Sequence, residues 1–164
     1  MIDFQKLANE FGTPLYVYDA QKIRKRIGRA KKVFEGLDAE IVFALKANNN
    51  PSLLKIMAEE EIGADVVSRG ELLASKMAGM KRILWNGNGK THEDILHFTN
   101  QGLNIVCVDS LQELPLWDGI DVIKLLRVNP DVDARTHPHI STGLRAHKFG
   151  VPIEKVEGVA DRID

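Results

Sequence analysis

Short apolar runs alternate with helical segments along most of the chain, and this alternation constrains the fold more than any other feature. The runs are rich in β-branched residues, and each is followed by residues that can begin a helix. The pattern predicts five strands, at residues 41–45, 64–67, 82–85, 104–108 and 121–128. Because strands that alternate with helices form parallel sheets, we expect an α/β fold built from five consecutive βα units.

The residues before this series predict an introductory helix–strand–helix segment, so we expect one division of the chain into 1–36 and 37–164. Apolar spacing predicts a first helix over residues 4–11, and Leu15–Tyr18 has the composition of a strand. A second helix is expected to begin at the cap Asp19 and to end at Gly36.

Helix-start signals follow the predicted strands. Asn50 precedes a proline in the first helical position, Ser68 to Glu71 forms a capping-box pattern, and Thr91 can cap a third helix. A short helix is expected near Ser110, and a last helix from about Pro152.

Polar or glycine residues gather where the strands end, namely at Lys46, Ser68, Gly87 and Asn129. The active sites of parallel (β/α)8 barrels lie on that side of the barrel, but a closed barrel needs eight units, typically about 250 residues. Five strands leave two open edges. We therefore expect a TIM-barrel type fold truncated to about five βα units, either a fragment or a half-barrel that needs a partner.

Composition excludes several classes of protein. The net charge of −1 gives no basic field for nucleic acid or anionic lipid, and no apolar stretch approaches the ~20 residues of a membrane span. The N-terminus has no secretion signal, and the single cysteine, Cys107, cannot form an internal disulfide. We expect a cytoplasmic protein in which Cys107 packs in the core.

Lys46 ends the first apolar run of the series. A lysine at such a position is expected to be partly desolvated, so that its ammonium form is disfavoured and its amine can form an imine with an aldehyde. That is the chemistry of pyridoxal phosphate enzymes, although most strand-end lysines are merely solvated. By contrast, Gly89-Lys90-Thr91 only mimics the end of a P-loop, because the first glycine of that motif would fall at Leu84. We interpret residues 86–90 as a tight turn.

Several motifs occur in a fixed order along the whole chain. They are GTPLYVYD at 12–19, FALKAN at 43–48, DVVSRGEL at 65–72, NGNGK at 86–90, RVNP at 127–130, HPHISTG at 137–143 and KFG at 148–150. Together they resemble the diaminopimelate decarboxylases, a family of alanine-racemase-like, fold type III pyridoxal phosphate enzymes. The related ornithine and arginine decarboxylases share the lysine strand and a Lys-Phe-Gly but differ in the loop before it.

The resemblance implies that Lys46 holds pyridoxal 5'-phosphate as an imine and that Asp65 and Arg127 lie beside the cofactor. Arg127 is the expected charge partner of Asp65. The alternative interpretation is that Asp65 is a structural, buried carboxylate whose hydrogen bonds come from the backbone or from an arginine. Glu71 also matches a family position, but it fits the Ser68 capping box equally well.

Three further positions are supporting candidates: Asn48, His137 and Lys148. The resemblance makes the loop with His137 a mobile cover for the cofactor. A metal site there is disfavoured, because alternating histidines without further ligands are a weak signal.

The activity implied is decarboxylation of meso-2,6-diaminopimelate to L-lysine, with an amino-acid substrate and a homodimer in the full-length protein. The alternatives are a related decarboxylase of another amino acid or polyamine precursor, and a non-catalytic half-barrel that binds cofactor or a partner. A flavodoxin-like domain is a further alternative, which strand order decides. The ring-stacking histidine, the glycine-rich phosphate loop and the acid facing the ring nitrogen are expected outside these residues. We therefore expect little decarboxylase activity from the isolated chain.

Overall fold

The structure, a computed structural model, describes residues 2–132 and 149–163. The chain divides into two compact units, Met1–Ile41 and Val42–Asp164. The functional division expected after residue 36 stays a prediction. Over the described residues, no helix combines the length and the apolar character that crossing a membrane requires.

The first unit contains two helices. α1 spans Phe4–Phe11 and α2 spans Ala20–Val33, in agreement with the sequence. Each begins at an aspartate, Asp3 or Asp19, whose side chain accepts a hydrogen bond from a backbone N–H of the first turn. Residues 15–18 form no strand, because a strand needs a hydrogen-bonded neighbour and no described segment pairs with them.

The second unit contains a parallel sheet whose strands are hydrogen-bonded in sequence order, β1 to β5. The strands are β1 Val42–Ala44, β2 Gly63–Val66, β3 Ile83–Trp85, β4 Ile105–Val108 and β5 Ile123–Leu126. This order confirms the five βα units and excludes the doubly wound, flavodoxin-like arrangement, in which the strand order reverses.

Helices connect consecutive strands, as the caps predict. They are α3 Pro51–Glu59, α4 Arg69–Met77 and α5 His92–Asn100. The helix expected near Ser110 is instead a 3-10 helix over Leu114–Trp117, since residues 111–113 form turns and a proline stands at its start. The last helix is likewise not an α-helix but two 3-10 helices, Ile153–Lys155 and Glu157–Arg162.

The strand predicted at 121–128 is divided at Arg127. β5 ends at Leu126, and β6 Val128–Asn129 pairs in parallel with β7 Val151–Pro152 in a second, two-stranded sheet. The reason is a change of partner: the N–H of Arg127 donates to Val108 O at 2.9 Å, and its carbonyl accepts from Val151 N at 2.7 Å. Arg127 is thus the junction between the two sheets.

One face of the main sheet is buried. Its strand residues and the apolar residues packed over them are nearly inaccessible; they include Ala64, Val66, Leu72, Ile83, Trp85, Ile95, Phe98, Val106, Val108, Leu114 and Trp117. Trp85 stacks on Phe98 with ring centroids 3.8 Å apart and meets Trp117 edge-on at 5.9 Å. These aromatic contacts pack α5 and the 3-10 helix Leu114–Trp117 against the centre of the sheet.

The other face is only half covered. Asp65, Leu84 and Cys107 are partly exposed there, and Ile123 and Leu125 of β5 are more so. Cys107 is therefore half-buried rather than fully in the core. Burial raises the pKa of its thiol, which agrees with a packing residue rather than a nucleophile.

Lys90, at the end of the turn after β3, is not solvated but forms a buried ion pair. Its Nζ lies 2.7 Å from Glu113 Oε1 and donates to the Cys107 carbonyl at 2.7 Å. The same carboxylate accepts hydrogen bonds from Trp117 Nε1 at 3.0 Å and from the N–H of Asp109 at 3.2 Å. A buried pair whose atoms are satisfied in this way is tolerated, whereas a single remaining charge is not.

We therefore expect Lys90→Met to lower the free energy of unfolding by about 3–5 kcal/mol, since it leaves Glu113 charged and buried. Urea unfolding followed by circular dichroism measures this, with the exposed Lys81→Met as the matched control at the other end of β3. Lys90→Met combined with Glu113→Gln removes both charges but keeps an acceptor for Trp117, so it should be more stable than Lys90→Met alone. A double variant as unstable as the sum of the single changes would contradict this explanation.

Candidate functional site

Lys46 lies where β1 ends, in a one-turn 3-10 helix over Leu45–Ala47 that runs beside β2. Leu45 is 1% exposed and anchors the turn in the core, whereas Lys46 is exposed. The expectation that Lys46 is desolvated is thus wrong for the described chain. Among the described residues β1 is an edge strand that pairs with β2 alone, and the amine that follows it is accessible.

Two asparagines turn the chain from this lysine into α3. Asn48 Oδ1 accepts from Asn50 N at 3.0 Å, and Asn50 Oδ1 accepts from Ser52 N at 2.9 Å. Such side-chain bonds to the backbone shape a tight turn and cap the helix. This local role accounts for Asn48, and a direct contact with a ligand stays a prediction.

Asp65 lies on the half-covered face of β2, in register with Ala44 of β1 and Leu84 of β3. Its Oδ2 accepts a long hydrogen bond, 3.4 Å, from Asn86 Nδ2. Its Oδ1 is buried and has no hydrogen-bond partner among the described residues. Buried carboxylate oxygens are ordinarily paired, so this atom is open to a donor or a cation from outside the described residues.

Arg127 does not pair with Asp65, which corrects the expected charge pair. Its Nη1 lies 2.8 Å from Asp109 Oδ1. The sheet order explains the difference: β2 and β5 are separated by two strands, roughly 14 Å, whereas Asp109 directly follows β4, the neighbour of β5.

Phe149 and Gly150 of the Lys-Phe-Gly motif lie next to Arg127. The Phe149 ring lies 4.8 Å from the guanidinium carbon, within range of a cation–π contact. Gly150 has φ +82°, and a Cβ there would come within 3.0 Å of Asn129 N and 3.1 Å of Arg127 O. The motif therefore needs glycine so that β7 can approach β6 at this junction.

Glu71 has a structural role at the start of α4. Its Oε2 accepts from Val67 N at 2.7 Å, while its own N–H donates to Ser68 Oγ at 3.2 Å. The bonds resemble a capping box, but the carboxylate reaches the residue before the cap. The capping interpretation is supported, and a direct role in the site stays a prediction.

Two lysines follow strands at this edge, and the structure separates them. Lys90 is enclosed in its ion pair, with a side chain that is 0% exposed, so its amine is unavailable. Lys46 is exposed, and its 3-10 helix contacts β2, where the Asp65 Oδ1 has no partner among the described residues. Of these two lysines, Lys46 is therefore the one with an accessible amine.

The residues that sequence reasoning missed are Asp109, Asn86 and Phe149. A signal was present for Asp109, since a carboxylate directly after an apolar strand belongs to the same edge as Lys46. His137 and Lys148 lie outside the described residues. Within the described ranges, no three His, Cys, Asp or Glu side chains are grouped to hold a metal ion.

Comparison with known proteins gives a consistent result. Residues 20–164 match the family described as pyridoxal-dependent decarboxylase, pyridoxal binding domain. Diaminopimelate decarboxylase of Aquifex aeolicus is 41% identical over 164 residues, which cover 95% of this chain and 39% of the relative. The chain thus spans about two fifths of the length of the curated relatives it matches.

Solved structures share the fold. Diaminopimelate decarboxylase from Helicobacter pylori, complexed with L-lysine, superimposes with a TM-score of 0.86 at 38% identity, covering 94% of this chain and 41% of that one. The enzyme from M. jannaschii, also with L-lysine, gives a TM-score of 0.79 at 36% identity, with 99% and 42% covered. The five-stranded sheet is therefore part of the barrel-type domain of fold type III enzymes, and the chain belongs to the pyridoxal-binding domain family of the pyridoxal-dependent decarboxylases.

Proposed function

We propose that this chain carries the lysine-bearing part of a diaminopimelate decarboxylase, which converts meso-2,6-diaminopimelate to L-lysine with pyridoxal 5'-phosphate. The observation that carries the proposal is the accessible amine of Lys46, in the 3-10 helix that contacts β2, together with the buried Oδ1 of Asp65 on β2, which has no partner among the described residues. The names of the relatives and the L-lysine bound to two solved neighbours support the choice of substrate. The single cysteine, which cannot form an internal disulfide, favours a cytoplasmic location.

The kinds of residue present are those that this cofactor requires, and they follow or end strands of the main sheet: Lys46 after β1, Asp65 on β2 and Arg127 after β5. The aldehyde of the cofactor requires a primary amine, which Lys46 supplies, and its anionic groups require a cation, which Arg127 supplies. Asp65 adds an acceptor whose Oδ1 has no partner among the described residues. When bound, the cofactor supplies a conjugated ring that delocalises the electron pair left when carbon dioxide departs.

The side chains have separate tasks in this proposal. Lys46 would hold the cofactor covalently through its primary amine. Arg127, fixed at the junction of the two sheets, offers a positive charge and planar N–H donors to an anionic group. Asp65 accepts a hydrogen bond from the ligand side and offsets positive charge at this edge of the sheet.

Trapping with borohydride tests the role of Lys46. With equimolar pyridoxal 5'-phosphate, we expect one dominant reduced adduct on the peptide that contains Lys46. Lys46→Arg keeps the charge but removes the primary amine, so the adduct should be lost, whereas the exposed Lys81→Arg should retain it. Mass spectrometry of the digested protein provides the measurement. Adducts spread evenly over exposed lysines would refute the assignment.

Asp65→Asn separates a ligand-binding role from a structural one. Because the substitution neutralises a half-buried carboxylate whose Oδ1 has no partner among the described residues, the free energy of unfolding should stay constant or rise by about 1 kcal/mol. The affinity for pyridoxal 5'-phosphate should fall about tenfold in equilibrium dialysis. Asp121→Asn, at an exposed position before β5, should change neither quantity. Loss of stability with unchanged cofactor affinity would make Asp65 a structural residue.

A substrate panel tests the reaction itself. Carbon dioxide release is measured with meso-diaminopimelate, L-lysine, ornithine and arginine, on the protein as its full reading frame encodes it. Diaminopimelate should be preferred by at least about a hundredfold, because a site that pairs buried polar groups with a substrate rejects analogues lacking the partner. Preference for ornithine or arginine would instead favour a related amino-acid decarboxylase.

A further inference from the structure

We propose that Asp109 is a positioning residue, which together with Phe149 fixes the guanidinium of Arg127 in the orientation that binds the anionic part of the cofactor. The proposal rests on the proposed function, since it takes Arg127 as a cofactor-binding residue. It adds a carboxylate that does not itself contact the cofactor.

The first argument is the anchoring of the Arg127 backbone. Its N–H is bonded to Val108 of β4 and its carbonyl to Val151 of β7. The position of its Cα is therefore set by two sheets, and the remaining freedom lies in the long side chain. Such a side chain loses considerable rotamer entropy when a ligand orders it.

The second argument is that two contacts restrict that side chain. Asp109 accepts from Nη1 at 2.8 Å, and the Phe149 ring lies 4.8 Å from the guanidinium carbon. Asp109 fixes the direction of one nitrogen, while the ring restricts movement of the group as a whole. Since a guanidinium has five N–H donors in a rigid fork, the Asp109 contact leaves Nη2 and Nε, which bind no other described residue, available for an anion.

The third argument is the surroundings of the Asp109 carboxylate. Its side chain is 12% exposed, against 33% for that of Arg127, so the carboxylate is the buried member of the pair. The N–H of Asp109 donates to Glu113 Oε2, which ties this residue to the Lys90–Glu113 ion pair. Asp109 is thus held by the core, and Arg127 is held by Asp109.

A double-mutant cycle on the full chain tests this order of action, with pyridoxal 5'-phosphate as the probe and the concentration for half-maximal trapping on Lys46 as the measurement. Asp109→Asn should raise that concentration about tenfold, since a charged hydrogen bond becomes a neutral one. Asp109→Glu, which displaces the carboxylate by one methylene, should cause a smaller loss. Asp121→Asn is the matched control and should bind as the wild type does.

The decisive comparison is made in an Arg127→Gln background. If Asp109 acts through Arg127, adding Asp109→Asn to Arg127→Gln should weaken binding no further. A merely structural carboxylate would add its full loss in both backgrounds, and that result would overturn the proposal. If urea unfolding shows that Asp109→Asn does not fold, the same cycle is run with Asp109→Glu. In that cycle the proposal is overturned if Asp109→Glu leaves the concentration for half-maximal trapping unchanged, or if its loss adds in full to that of Arg127→Gln.

The outcomes also separate this inference from the proposed function. If the wild type forms the Lys46 adduct and Arg127→Gln weakens it, while Asp109→Asn has no effect, only the positioning role fails. If Arg127→Gln binds as the wild type does, Arg127 is not the cation and the positioning role fails with it. If the wild type forms no adduct on Lys46, the proposed function itself is refuted.

Discussion

The buried ion pair between Lys90 and Glu113 joins the loops that follow β3 and β4, and the geometry of this edge of the sheet depends on it. Lys90 binds the carbonyl of Cys107 as well as the carboxylate, so it ties the turn after β3 to the backbone of β4. Glu113 in turn accepts from Trp117 and from the N–H of Asp109. Because both charges are buried, removing either member alone leaves an unpaired buried ion, which strongly lowers the free energy of unfolding.

A continuous series of contacts leads from this pair to the candidate site. Asp109 is held by Glu113, and Arg127 is held by Asp109. The most enclosed charges thus lie in the core, and exposure increases toward the residue that is proposed to meet a ligand. This arrangement provides a cation whose position is already determined before binding, which reduces the ordering cost of association.

The parts of the fold that depend on local chemistry could be predicted from the sequence. Caps such as Asp19, Asn50 and Thr91 act within one turn of the chain, and the short β-branched runs indicate strands directly. Partners across the sheet could not be predicted in this way, because the charge partner of Arg127 depends on which strands are neighbours. The order of the strands places Asp109, directly after β4, next to Arg127 and keeps Asp65 on β2 away from it. The strand predicted at residues 15–18 failed for a related reason, since a strand is defined by its neighbour as well as by its own composition.

The two lysines Lys46 and Lys90 also show that contacts between residues distant in the sequence could not be predicted from it. Both follow apolar strands, and composition alone gives no reason to separate an accessible amine from a buried structural cation. The separation arises from Glu113, which lies 23 positions further along the chain than Lys90 and reaches it only through the parallel register of β3 and β4. Lys46 has no comparable buried partner among the described residues, while Asp65 on the adjoining strand keeps an oxygen without a hydrogen bond. Among the described residues, the buried charge of Lys90 is fully paired, whereas the Asp65 oxygen without a partner lies on β2, next to the 3-10 helix that carries Lys46. The stabilising charges and the charges proposed to bind a ligand therefore lie at different points of one edge of the sheet.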